Sequence, residues 1–226
     1  MYVYNFRYVA GSCGPYGSML EGGQEFRGEY QVPHEELVAF HGARAATLWE
    51  SGCDVLAFET LPQLAEVRAA LDVLDHHVPP AAVAWVSMQC RDGEHLASGE
   101  SAAEAFSLAS THPRVVAVGC NCVNQEYVES LLALARRCSN LPLIVCANIG
   151  QVWNAQTFQW TGPPIAWDAS RLARTWITAG ARVIGGCCGA GPEHIRLLAQ
   201  AVRQMSREQN EVEDEGNRWG AGIWDR

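Results

Sequence analysis

Short, uninterrupted apolar runs alternate along this chain with longer segments of helical periodicity. The runs at 7–12, 54–59, 82–88, 115–120, 143–147 and 182–185 are uniform rather than alternating, as strands covered on both faces should be. Between them, segments 35–51, 64–74, 102–110, 125–138, 169–179 and 192–205 place apolar residues at helical spacing, clearest in Leu37, Val38, Phe40, Ala45, Leu48 and Trp49. Pro192 followed by Glu193 suits a helix start, and Pro62 after Thr60 reads the same way. Gly52 and Gly180 follow helix ends.

Strand–helix alternation at this spacing predicts an α/β fold, a parallel sheet with right-handed crossovers. A doubly wound sheet and a (β/α) barrel both fit the pattern. No G-x-G-x-x-G joins a strand to a helix, which disfavours dinucleotide binding. The pattern yields about six parallel strands where a closed barrel needs eight. No repeat or linker divides residues 1–206, so they read as one domain. From Arg207 the chain carries Glu208, Glu211, Glu213, Asp214 and Glu215, and 207–226 reads as an acidic, disordered tail, with Trp219 and Trp224 as residues able to dock back.

Composition narrows the class. Hydrophobic residues are 48% of the 226 and charged residues 18%, enough apolar material for a core. Sixteen basic residues against 25 acidic ones give a formal net charge of -9, the wrong sign for a nucleic-acid surface. No run approaches a membrane span and the start lacks the apolar core of a signal peptide, so the expected location is cytoplasmic, with no membrane partner. Nine cysteines in such a chain are expected to be reduced, some of them holding a metal.

Two segments carry the chemistry. In 182–189 a strand runs into two glycines, Cys187, Cys188 and a third glycine. Neighbouring side chains of a strand face opposite ways, so both thiols reach one ion only if the chain turns there, which glycine permits. Two small core residues, a vicinal disulfide and a shared metal all remain open for that pair. In 115–122 another strand ends in Gly119, Cys120, Asn121 and Cys122. Ligand chemistry in parallel α/β folds collects at the carboxyl ends of strands, and three cysteines from two such ends match a zinc site with an open fourth position. A thiol redox protein is the weaker alternative, since no C-x-x-C opens a helix.

The segments Gly-Cys-Asn-Cys at 119–122 and Gly-Gly-Cys-Cys-Gly at 185–189 resemble the zinc-dependent homocysteine S-methyltransferases, the family that includes betaine–homocysteine methyltransferase. Gly-Pro-Tyr-Gly at 14–17, Glu-Phe-Arg-Gly-Glu-Tyr at 25–30, Phe58-Glu59-Thr60 and Asn148 look like the branch using S-methylmethionine or S-adenosylmethionine. The resemblance runs from about 9 to about 198. It implies a (β/α)8 TIM barrel with Cys122, Cys187 and Cys188 as ligands of Zn2+, choosing Cys122 over Cys120 because the family's ligand follows the Asn. It implies Glu59 at the amino group of homocysteine, and Asn121 and Asn148 as substrate-orienting or supporting groups. The implied reaction moves a methyl group from the sulfonium donor to homocysteine, giving methionine. Trp153 and Trp160 are available to face the cation, or to serve as core aromatics.

The chain departs from that family at its start. Nothing corresponds to the family's Asp-Gly-Gly strand, and Glu21-Gly22-Gly23 lies in a different context. The first strand found here aligns with about the family's third. The expectation is an incomplete barrel, lacking two βα units, whose open edges favour self-association. A zinc-binding remnant without turnover is the alternative to an active enzyme.

Overall fold

A computed structural model describes residues 7–154 and 156–220, with the backbone alone for Val152 and 209–220. The elements in chain order are β1 (Ala10–Cys13), two 3-10 turns (Tyr16–Met19 and Gln24–Phe26), α1 (His34–Glu50), β2 (Val55–Leu61), α2 (Leu64–His76), β3 (Ala84–Met88), α3 (Ala102–Ser110), β4 (Val115–Asn124), α4 (Gln125–Cys138), β5 (Leu143–Asn148), β6 (Val152–Asn154), β7 (Gln159–Thr161), α5 (Ala169–Thr178), β8 (Ala181–Gly186) and α6 (Pro192–Gly220).

Six strands form one all-parallel sheet in the order β1-β2-β3-β4-β5-β8. They are the six runs read from the sequence. The order never reverses, and right-handed crossovers in one direction put every helix on the same side of the sheet. A doubly wound sheet would reverse its order once. The fold is an incomplete (β/α) barrel, with β1 and β8 paired on one side only among the described residues.

Strand parity separates the two faces. Leu56 and Phe58 of β2, Val86 and Met88 of β3, Val118 and Cys120 of β4, and Leu143 and Val145 of β5 are buried in the core shared with the helices. Ser12, Glu59, Ser87, Asn121 and Cys146 occupy the opposite parity, on the concave face. That face is polar near the carboxyl ends of the strands. Gly119 is required there by contact: a Cβ would lie 1.8 Å from the carbonyl oxygen of Ile144.

Two helices, α2 and α4, start within three residues of the preceding strand's end, whereas longer loops lead into α1, α3 and α5. Asn124 closes β4 and caps α4, its side chain accepting the N–H of Glu126 at 3.1 Å. Ser101 caps α3 by accepting the N–H of Glu104. The short antiparallel hairpin β6–β7 lies between β5 and α5 and has no counterpart in the sequence reading. At the other end α6 continues past Arg207 to Gly220, where the sequence reading had an irregular tail. Arg, Glu and Gln make up half of 207–220, no proline interrupts it, and Glu208 pairs with Arg174 of α5 at 3.2 Å. Residues 221–226, including Trp224, and the side chain of Trp219 lie outside the described residues. No helix among the described residues is long and apolar enough to cross a membrane.

Candidate metal centre

The sulfurs of Cys122, Cys187 and Cys188 lie within 4.8 Å of one another, at the carboxyl ends of β4 and β8. Cys122 and Cys188 are 3.3 Å apart. Two departures from regular strand geometry bring them together. Cys122 has φ 56, in the left-handed region, and the β4–β5 register shifts between Asn121 and Asn124. Parity would otherwise keep Cys122 on the helix side with Cys120; the left-handed turn carries it to the mouth. After β8 the chain turns back through Gly189 at φ 79, with Ala190 donating its N–H to the carbonyl of Cys187 at 3.0 Å. That turn lets consecutive thiols share one site. All nine cysteines are free thiols, so the vicinal bond is not made.

The end of β5 holds the pair in place. The N–H of Cys187 donates to the carbonyl of Ala147 at 2.8 Å, and the N–H of Cys188 to Oδ1 of buried Asn148 at 3.0 Å. Asn121 is committed to the neighbouring strands. Its Oδ1 accepts from the N–H of Thr60 and the hydroxyl of Ser87, both at 2.7 Å, and its Nδ2 donates to Oγ1 of Thr60 at 2.7 Å. Thr60 sits at φ 62, an unfavourable place for a β-branched residue, and these bonds hold it there. Glu59 beside it accepts from the Ser12 hydroxyl at 2.5 Å. Burial raises the Glu59 carboxyl above its usual value, against the lowering effect of Ser12, and Cys187 adds to the rise.

The thiols are electrostatically interdependent. Hydrogen bonds from Cys122 and then Cys188 draw Cys187 down to about 3, while Cys122 is driven up because it shares its proton with Cys187. Without a cation the cluster holds one thiolate comfortably, and further ionisation meets repulsion at close range. A divalent ion removes that repulsion. Tetrahedral Zn2+ with Zn–S bonds of ~2.3 Å places its sulfurs ~3.8 Å apart, so the donor type and spacing fit it. The other cysteines do not join this cluster. Burial pushes Cys13 and Cys146 up to about 12, and Cys120 and Cys90 also rise.

A cavity of about 340 Å3 opens beside Cys122 and Asn148. Phe26, Trp153 and Trp160 form an aromatic wall, with Trp153 and Trp160 centroids 5.4 Å apart and Phe26 edge-on to Trp160 at 5.8 Å. Arg27 and Arg91 line it as well, together with Gln89, whose buried Oε1 has no hydrogen-bond partner. Gln89 and Ser12 carry no sequence signal that sets them apart; only the packing of distant segments identifies them. The tryptophans open to either role in the sequence stand in the cavity wall.

A family model described as "Homocysteine S-methyltransferase" matches residues 2–202. Homocysteine S-methyltransferase YbgG of Bacillus subtilis (strain 168) is 38% identical over 197 residues, 87% of this chain and 62% of that protein. Homocysteine S-methyltransferase of Escherichia coli (strain K12) is 40% identical over 192 residues, covering 84% and 61%. Among solved structures, the metallated form of the homocysteine methyltransferase MmuM from Escherichia coli superposes with a TM-score of 0.74 at 37% identity, covering 88% of this chain and 62% of that one. The chain thus spans a little over three-fifths of the length of the relatives it matches.

Proposed function

We propose, since this chain belongs to the homocysteine S-methyltransferase family, that it transfers a methyl group from a sulfonium donor, S-methylmethionine or S-adenosylmethionine, to the sulfur of homocysteine. The observation that carries this reading is the convergence of Cys122, Cys187 and Cys188 within 4.8 Å beside a cavity walled by Phe26, Trp153 and Trp160. Those three cysteines would hold Zn2+, which supplies an open position where a thiol loses its proton at neutral pH. A free thiol of pKa ~8.5 is mostly protonated there and a poor nucleophile.

The chain's own residues orient and enclose the reactants. Glu59, steadied by Ser12, meets the ammonium group of homocysteine, and Asn121 fixes the backbone that presents it. Asn148 fixes Cys188. The aromatic wall faces the sulfonium charge, while Arg27 and Arg91, whose own charges are partly offset by Glu29 and Asp92, donate hydrogen bonds to the donor's carboxylate. The homocysteine sulfur attacks the methyl carbon, and the electron pair of the broken C–S bond leaves with the donor sulfur. From S-methylmethionine both products are methionine. Opposite charges are consumed in this step, so a water-poor cavity favours it.

The test measures bound metal together with methionine formed from homocysteine and S-methylmethionine. Zinc at one per chain with turnover supports the proposal. Zinc without turnover supports a metal-binding chain that does not catalyse, a reading favoured by the single-sided pairing of β1 and β8 among the described residues. Neither zinc nor turnover refutes both.

A further inference from the structure

Glu66 on α2 is a buried carboxylate outside the thiol site, its side chain fully enclosed. Its oxygens accept the backbone N–H of Tyr16 at 2.8 and 3.1 Å, and also the hydroxyl of Tyr30. Nε2 of His41, on α1 and equally enclosed, is its third partner, while Nδ1 of His41 has none. His41 is thus held through Nε2 alone, its contact with Glu66 lying in the enclosed space between α1 and α2. Tyr16, Tyr30 and His41 together surround the Glu66 carboxyl with hydrogen-bond partners in place of water.

Two of those donors belong to the segment joining β1 to α1. Tyr30 Oη also accepts the N–H of Gly17 at 3.2 Å, Tyr16 Oη donates to Glu36 at 2.6 Å, and Arg44 donates to the carbonyl of Gly14 at 3.1 Å. Both ends of the segment are therefore tied to α1 and α2 through one carboxylate and its neighbours. Between the ties lies the turn Gln24–Phe26, which buries no residue of its own. Phe26 and Arg27 nevertheless line the cavity beside Cys122, with Phe26 against Trp160. Beside the turn, buried Gly28 abuts the backbone of Pro62 and Ser98, and the side chains of Phe26 and Arg27 take their position from that contact and from the two tyrosine anchors.

We infer that Glu66 is a positioning residue for the cavity: through Tyr30 and Tyr16 it fixes where Phe26 and Arg27 stand. This rests on reading the cavity as the donor side of the site. Glu66 touches neither reactant, and its effect reaches the reaction through donor binding.

The test uses the full chain loaded with zinc and two variants, Tyr30→Phe and Glu66→Gln. Trypsin cleavage after Arg27 is timed against cleavage at other arginines, zinc per chain is measured, and the KM for S-methylmethionine and for homocysteine are determined separately. Expected is a roughly tenfold faster cut after Arg27 and a donor KM raised about tenfold, the ratio set by losing one buried hydrogen bond. Zinc content and the homocysteine KM stay at the parent values. Unchanged cleavage after Arg27, equal acceleration at every site, or a parallel rise in both KM values overturns the inference. If the parent chain transfers no methyl group, the donor reading fails, and the cleavage pattern alone decides whether Glu66 positions the segment.

Discussion

Oδ1 of Asn148, at the end of β5, accepts the backbone N–H of Cys188 at 3.0 Å, so one strand's side chain sets the approach of another strand's thiol. Removing such a supporting bond typically costs 10–100-fold in metal affinity. Asn148→Ala is expected to weaken zinc binding by about tenfold or more on that scale, read by competition with a chromophoric chelator. Parent-like affinity would show that Cys188 is held by its turn alone.

Asn121 holds Thr60 at φ 62 through two of its three hydrogen bonds, the third going to Ser87. Asn121→Ala leaves the buried Ser87 hydroxyl and the Thr60 N–H without that partner, a loss of about 3 kcal/mol. Glycine takes positive φ without strain, so adding Thr60→Gly should return part of the loss. Urea unfolding of the single and double variants measures both effects. A double variant no more stable than Asn121→Ala would mean that Thr60 stores no strain.

Metal removal should expose one reactive thiol among many inert ones. In the metal-free chain Cys187, drawn down by hydrogen bonds from Cys122 and Cys188, is the thiolate of the cluster, while burial holds Cys13, Cys90 and Cys120 protonated. Iodoacetamide at neutral pH is expected to label Cys187 first, to spare those three until unfolding, and to be blocked by zinc. Peptide mass mapping reads the order. Early labelling of Cys13 or Cys120 would contradict the burial argument.

The alkaline limb of stability has a defined sign. Burial raises Cys13 from 9.0 to about 12 in the folded chain, so folding retains its proton over that interval. The group costs nothing below pH 9 and removes stability progressively as pH rises from 9 toward 12. Urea midpoints across that range should decline, and less steeply in Cys13→Ala even though that variant starts lower. Equal slopes would assign the decline to other groups.

Much of this architecture is written locally. A strand enclosed on both faces must be apolar throughout and a helix against a sheet must repeat every three to four residues, so runs such as 115–120 and 125–138 announce themselves. The hairpin β6–β7 escaped because each strand has three residues, too few to display a period. The end of β4 was read short because glycine, cysteine and asparagine carry no strand preference, although pairing with β5 extends it to Asn124.

The sequence by itself determined the strand–helix order, the single parallel sheet and the three cysteines that resemble a ligand set. It left open what the asparagines do and which side chains wall the cavity. Tertiary structure decided those. Asn121 meets Thr60 across 61 positions, Cys122 meets Cys188 across 66, and Glu66 meets Tyr30 across 36. Periodicity reports which face of an element is apolar, whereas a hydrogen bond between strand ends depends on register, parity and a left-handed φ at Thr60 and Cys122. Those quantities exist only once the sheet has formed, because the pairing of neighbouring strands creates them.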